Sequence, residues 1–427
     1  MPESLQIQLV NNSDSDNINA YITGIAIQHG GQRCILKANG KDLYFPTDPP
    51  KIGSPLTEDC AISLGKPGNV VNVNIPQIAG GRIWLSTGPL TFLLNPGPAL
   101  VEPSVLNPSD LNAQVDFGFC EFTLNSDQLY ANLSYVDFTP RLPIAIALEQ
   151  QSGQKQEVLG MAPDGIDKLA EGLRAQSQKD GKPWDKLIIP DSQGRPLRVL
   201  NATHADAVGA SFAGYYEPYV EEVWKYYSTK TFTLDTQAGP GVLTGSVKGA
   251  DMTIGDESFC KPSTLDILGC NSGPFTTGSN PTRNAIIPRL AAAFHRTALL
   301  ETNVHPSHHE TFYMRDPTNH YGRVLHEINL DHKGYAFAYD DVQPEDGTDQ
   351  SGKVNAGDPK VFIVTVGGKG GASIKGVCET APELPSIAPV ANGDAQEPLQ
   401  QNGDKPCSPS SPERKGWRGK LKGLLSK

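Results

Sequence analysis

Two carboxylates in strand-patterned surroundings are the residues of this chain whose type and placement point most directly to chemistry. Glu121 lies in the run FGFCEFTLN, where alternation puts Phe119, Glu121, Thr123 and Asn125 on one face and Cys120, Phe122 and Leu124 on the other. Asp137 lies in a second run, 131–138, after the turn-forming Asn125-Ser126-Asp127-Gln128. Two carboxyls from neighbouring strands can divide acid–base work. One, protonated, releases a leaving oxygen; the other, ionised, activates water or attacks the carbon, which is what hydrolysis of a glycosidic bond requires. The same acids would also suit a plain solvated sheet face. A tight hairpin centred on Ser126 and Asp127 pairs Glu121 with a residue near Leu133. That leaves Asp137 further along the strand by roughly 13 Å at ~3.3 Å per residue. The pair therefore calls for a wider connection centred near Leu129, or for a strongly curled sheet.

The sequences CEFTLN, YANLSYVDF and LPIAIAL resemble the matching part of thaumatin-like proteins, in which an acidic cleft is lined from these strands. The chain resembles glycoside hydrolase family 64 more closely. That likeness extends to GGRIWLSTGPLTFLLNPGPALVEPSVLNPSD at 80–110, FAGYYEPYVEEVWKYYST at 212–229, GPFTTGSNPTRNAIIPRLAAAFHR at 273–296, TNHYGRVLH at 318–326 and GYAFAYDDV at 334–342. The resemblance implies an endo-type, inverting β-1,3-glucan hydrolase that releases laminaripentaose-like oligosaccharides, with Glu121 as acid and Asp137 as base. It places sugar contacts on Thr123 and Asn125, with Tyr130 and Ser134 at further matching positions where bacterial members carry Trp and Thr. It also puts Ser86 and Asn132 where the wider thaumatin-like cleft has an Arg and a second Asp. A non-catalytic β-1,3-glucan-binding protein using the same groove is the alternative.

Other chemistry finds little support. His305, His308, His309 and Glu310 cluster, but Pro306 interrupts any helix that would array them, so no metal is expected. Cys120 has no evident base partner and reads as a buried thiol. No GxGxxG, P-loop, GxSxG or HExxH stands in a convincing context, and no cofactor is implied.

Residues 5–150 are dominated by short strands separated by Gly and Pro turns, the pattern of a sandwich or barrel. Strands are expected at 71–75, 82–86 and 90–94, with the proline-rich 95–110 as a long loop on the rim of a groove. Helical spacing begins near Met161: a helix over 164–178 capped by Asp164, a second opened by Pro218, and a third over 284–300 with Pro288 in its first turn. Strands at 231–235 and 242–248 complete a mixed α/β unit. Alternating Tyr335, Phe337 and Tyr339, then Val361, Ile363 and Thr365, return to β patterning. The expected fold is mainly β with an α/β insertion. A thaumatin-like barrel or sandwich domain (1–154 and 311–368) and a mixed α/β domain (155–310) flank a wide groove, with a disordered tail at 369–427.

The chain has 427 residues, 43 Gly, 35 Pro and a formal charge of −11, a balance that disfavours nucleic acid as a partner. No run of about 18 apolar residues spans a membrane. The basic end RKGWRGKLKGLLSK, from Arg414, has Trp417, Leu421, Leu424 and Leu425 on one helical face and suits weak contact with an anionic membrane surface. No secretory leader is visible, whereas members of the resembled family are typically secreted, so an extracellular or cell-wall location is the expectation and a monomer the expected state. Seven Cys are too few for the disulfide framework of plant thaumatin-like proteins. Sequons at Asn11, Asn132 and Asn201 are glycan acceptors only on a secretory route.

Overall fold

A computed structural model of the chain describes residues 3–368. The chain divides into Met1–Gly371, which holds every element below, and Ala372–Lys427, so the expected tail and its basic end lie outside the described residues.

Two main sheets form the β part, beside a small one that runs Ala99–Val101, Leu93–Asn95, Ser54–Pro55. One has the strand order Lys155–Val158, Ile144–Gln150, Pro359–Val366, Ser4–Asn11, Val70–Pro76. Its first and last strands in the chain run parallel, from Gln6 opposite Val361 to Asn11 opposite Val366. Alternation sets which face of this sheet is core: Leu5, Ile7 and Leu9 are buried on one face, as are Val73 and Ile75 on the antiparallel neighbour, while Asn72 and Asn74 stay exposed. The other sheet is larger and runs Lys353–Ala356, Leu129–Leu133, Phe117–Leu124, Ile78–Thr87, Ile18–Ala26, Gln32–Leu36, Leu43–Tyr44, with Ile62–Ser63 added to Ile18–Ala26. Cys120, Phe122 and Leu124 join Leu5, Ile7 and Leu9 in one hydrophobic core, as the alternation required. Close packing depends on two glycines. A Cβ on Gly81 would sit 2.4 Å from the Phe122 ring, and one on Gly118 would sit 2.6 Å from Pro140.

The expected barrel does not close among the described residues. Where the edge strands Lys155–Val158 and Lys353–Ala356 meet, a side chain replaces the backbone ladder: the Gln156 amide donates to the Asn355 carbonyl at 2.7 Å and accepts from its N–H at 2.9 Å. The fold is mainly β, with two open sheets stitched at this edge.

The α/β portion contains the helices Gly165–Asp180, Glu217–Tyr227, Thr264–Gly269, Pro281–His295 and His320–Ile328. A five-stranded sheet runs Glu257–Phe259, Asp251–Ile254, Val242–Lys248, Phe232–Asp235, Val304–His305. A small sheet pairs Phe138–Pro140 with Pro196–Leu200 and Ile188–Pro190, tying the α/β portion to the chain that leaves the large sheet.

Several expectations are corrected. Asp164 occupies the N-cap position but makes no capping bond; its carboxylate pairs with Lys168 instead. The helix expected at 284–300 starts earlier, because Asn280 caps it by accepting from the Arg283 N–H, so Pro288 falls in its interior and a separate short turn covers Ala298–Leu300. The strand expected at 90–94 is only Leu93–Asn95, which forms a hairpin with Ala99–Val101 inside the proline-rich segment.

Tyr335, Phe337 and Tyr339 do not form a strand. The segment curls because the buried Asp340 carboxylate accepts from the Ala336 N–H at 2.9 Å and pairs with Arg296 at 2.9 Å and His326 at 3.0 Å. Burial alone would raise the Asp340 pKa, but His326 and Arg296 hold it below the usual range. His326 is displaced upward: burial opposes its charge, and Asp340 outweighs that. The cluster therefore contributes most between the ordinary Asp and His ranges. It fades as pH falls through the lowered Asp340 pKa or rises through the raised His326 pKa. Replacing Arg296 with Met leaves a buried carboxylate short of its cation and is expected to cost about 3–5 kcal/mol, read as a lower urea midpoint at unchanged m-value.

Candidate active site

The large sheet builds a polar row. Glu121 lies directly opposite Arg82 on one side and Asn132 on the other, and Arg82 lies opposite Thr23. Directly opposed residues of antiparallel strands point to the same face, so four neighbouring strands contribute one polar line to a sheet whose reverse face is core. The hairpin follows the tight geometry of Leu124 opposite Leu129. Asn125 stabilises the turn by accepting from the N–H groups of Asp127 and Gln128, each at 2.9 Å.

Glu121 is 8% exposed. Its Oε1 accepts from Arg82 Nε at 3.2 Å, while Oε2 is buried without a hydrogen bond of normal geometry. Burial is the main reason its pKa is raised, and the negative charge of Asp137 adds to it; Arg82 and, more weakly, the Ser134 hydroxyl pull the other way. Arg82 is itself held in place. It reaches Glu102 at 3.5 Å and lies over the rings of Phe119 at 4.6 Å and Trp84 at 5.5 Å. Glu102 accepts from the Thr23 hydroxyl at 2.8 Å, and that hydroxyl accepts from Trp84 Nε1 at 3.1 Å.

Asp137 does not continue the strand. The ladder ends after Leu133, Ser134 makes a single bridge to Tyr335, and the chain bends at 136–137 before Phe138–Pro140 enters the small sheet. The bend ends the uninterrupted strand along which the offset was reckoned, and the charge of Asp137 acts on both Glu121 and Arg82. The Asn201 N–H bonds the Asp137 carbonyl at 3.0 Å, and His204 Nε2 meets Asp137 Oδ1 at 3.1 Å. About a third of the Asp137 side chain is exposed. Burial pushes its pKa up, but the hydrogen bond and charge of His204, together with Arg82, overcome that and leave it lowered. The two acids are thus displaced in opposite directions, one toward the protonated form and one toward the ionised form.

The remaining expected contacts separate into two groups. Thr123 and Tyr130 are paired opposites beside Glu121, and Ser134 follows on the same side. Thr123 accepts from the Gly80 N–H at 3.1 Å, and the Tyr130 and Tyr335 hydroxyls share a 2.6 Å bond. Asn125 sits apart in the turn, its side-chain oxygen already used. Ser86 is buried and donates to the Gly88 carbonyl, Asn132 is buried directly opposite Glu121, and the charged neighbours of Glu121 in this row are Arg82 and, beyond it, Glu102. His204, Arg82 and Glu102 were not expected from sequence; only Arg82, at the centre of a strand and on one face with Trp84 and Ser86, gave any hint.

Among the described residues no group of three His, Cys, Asp or Glu is placed to hold a metal, and His305 is buried within the Val304–His305 strand. No helix there is long and apolar enough to cross a membrane. The three sequon asparagines are buried, and Asn11 and Asn201 donate their amide groups to backbone carbonyls.

The glycoside hydrolase 64 model, described as beta-1,3-glucanase, matches residues 3–366. A glucan endo-1,3-beta-glucosidase from Cellulosimicrobium cellulans is 28% identical over 316 residues, covering 71% of this chain and 56% of the relative. Another, from Arthrobacter sp. (strain YCWD3), is 26% identical over 336 residues, covering 77% and 56%. The chain thus spans about half the length of these curated relatives. Among solved structures, a laminaripentaose-producing beta-1,3-glucanase in complex with laminaritetraose is similar at a TM-score of 0.75 and 29% identity, over 86% of this chain and 99% of that one. A beta-1,3-glucanase domain from Clostridium beijerinckii shares the fold at a TM-score of 0.66 and 24% identity, over 86% and 98%.

Proposed function

This chain belongs to glycoside hydrolase family 64, the β-1,3-glucanases, and from that membership we propose that it is an endo-acting hydrolase of linear β-1,3-glucan with inversion at the anomeric carbon. The observation that carries the assignment of roles is the opposite displacement of two carboxyls that share Arg82. Glu121, shifted toward its protonated form by burial, gives its proton to the glycosidic oxygen as the C1–O bond breaks. Asp137, shifted toward its ionised form by His204 and Arg82 against the effect of burial, takes a proton from the water that adds to C1 from the opposite face, so a β-linkage yields an α-product. Thr123, Tyr130 and Ser134 line the sugar path along the same sheet face, with Asn125 at its far end.

The likeness to a laminaripentaose-producing enzyme supports a five-sugar product, and the two stitched sheets beside an α/β portion support a thaumatin-like layout around a groove. The proposal carries with it a monomer acting on a polymer outside the cell or in a wall. Incubation of the purified chain with linear β-1,3-glucan tests it, with product length read by chromatography and the first-formed anomer by NMR. Short oligosaccharides released as the α-anomer are expected. Retention of the β-anomer overturns inversion; binding without cleavage makes the chain a glucan-binding protein instead.

A further inference from the structure

We propose that His204 is the positioning residue of Asp137: through Nε2 it fixes Oδ1 of the carboxylate, so that Oδ2 is presented to the attacking water. The inference rests on the glucanase reading above but concerns a residue outside the sheet that carries Glu121.

The geometry is built from both ends. Asp137 sits in a bend, where nothing in a strand ladder fixes its side chain. The segment that follows Pro196–Leu200 compensates. The Asn201 N–H holds the Asp137 carbonyl at 3.0 Å; the Asn201 side chain accepts from the Thr203 N–H at 3.1 Å and donates to the Ala336 carbonyl at 2.7 Å. With Asn201 anchored three ways, the short helical segment Ala202–Val208 starts at a fixed point, and its departure from helical angles at His204 (φ −108°, ψ 19°) delivers the imidazole to Oδ1 at 3.1 Å. Below the bend, Tyr321 donates to the Tyr135 carbonyl at 2.7 Å and shares a 2.8 Å bond with the Thr139 hydroxyl, which keeps the backbone on either side of Asp137 in place. No bond to Oδ2 is found among the described residues. One carboxylate oxygen is therefore held and the other left for water, an arrangement suited to a base whose orientation matters.

The charged and titratable groups that act on Asp137 are His204 and Arg82, with Glu121 across the row and the Tyr321 phenol behind. Without His204, burial is opposed by Arg82 alone and the carboxylate titrates at higher pH. The base must be ionised to act, so the acidic limb of the kcat profile moves up.

The test compares the parent chain with His204→Leu and His204→Gln. The Leu variant removes the hydrogen bond; the Gln variant retains an amide donor. His204→Leu is expected to lower kcat on linear β-1,3-glucan roughly 10- to 100-fold with KM changed less than about threefold. Its acidic limb should move to higher pH, and His204→Gln should recover part of both effects. Carboxyl 13C titration, with the Asp137 signal assigned by its loss in Asp137→Asn, reads the same coupling whether or not glucan is cleaved. If Asp137 titrates unchanged in a folded His204→Leu variant, the inference is wrong. If the parent chain fails to cleave glucan while Asp137 still shifts, the glucanase reading fails and the coupling stands.

Discussion

Glu121→Gln is expected to lower kcat on linear β-1,3-glucan by about 10²–10⁴-fold, the range for losing a general acid. The amide keeps the shape and can still accept from Arg82, but it has no proton to give. The defect should therefore depend on the leaving group. An oligosaccharide carrying a nitrophenyl leaving group departs without protonation, and on it the variant should lose far less. Equal losses on both substrates would mean that Glu121 does something other than protonate the leaving oxygen. The pH profile makes a second demand. Burial raises the Glu121 pKa, so the basic limb, where the acid loses its proton, lies above the ordinary carboxylate range; in the Gln variant that limb disappears. Stability supplies the third. A folded-state pKa that is raised means that the folded chain binds the proton more tightly than the unfolded chain, so ionisation of Glu121 destabilises the fold as pH rises through that pKa. Glu121→Gln should then leave the urea midpoint at pH 7 unchanged or higher, the usual relation between a strained functional group and the fold around it. A clear drop would identify Glu121 as a structural partner of Arg82.

What could be read from the sequence follows the range over which its signals act. Alternation along FGFCEFTLN assigned Glu121 and Thr123 to one face and Cys120, Phe122 and Leu124 to the core, because strand geometry alone decides it. The hairpin register was legible because Asn125 and three more turn residues join its strands. Arg82 was not, since 39 residues separate it from Glu121 and no local rule fixes a register across such a connection. His204, 67 residues beyond Asp137, lies in a short helical turn with no amphipathic signature. Asp137 was singled out in the run 131–138 but placed on a continuing strand, whereas the chain bends at 136–137 and the Asp137 carbonyl and carboxylate meet Asn201 and His204 of the α/β portion. The aromatic alternation at Tyr335, Phe337 and Tyr339 misled for a related reason. A buried carboxylate that finds Arg296 and His326 outweighs local β preference, and those partners lie on two separate helices and caps.

Removing the base gives the sharpest prediction about geometry. Asp137→Ala should lose about 10²–10⁴-fold in kcat while Glu121 still protonates the leaving oxygen, leaving a reaction that lacks only an activated nucleophile. Azide needs no deprotonation and is small enough for the space that the lost carboxylate opens. Added to this variant it should restore turnover: the C1–N bond forms as the C1–O bond breaks, the Glu121 proton goes to the departing oxygen, and an α-glycosyl azide results. The α configuration would place Asp137 on the face opposite the leaving group. A β-azide would put it on the wrong face, and absence of any rescue in a folded variant would remove it from nucleophile activation altogether. The first-formed anomer from the parent chain separates the two remaining possibilities, since a base acting through water gives the α-sugar and a carboxylate nucleophile gives the β-sugar. The acidic limb of the parent profile should belong to Asp137 and lie low, because His204 and Arg82 favour its ionised form over the opposing effect of burial; activity is then lost only as pH falls through that lowered value. Together with the raised limb set by Glu121, this gives a bell broader than two unperturbed carboxyls could produce, and a narrow one centred near the ordinary carboxylate range would contradict both assignments at once.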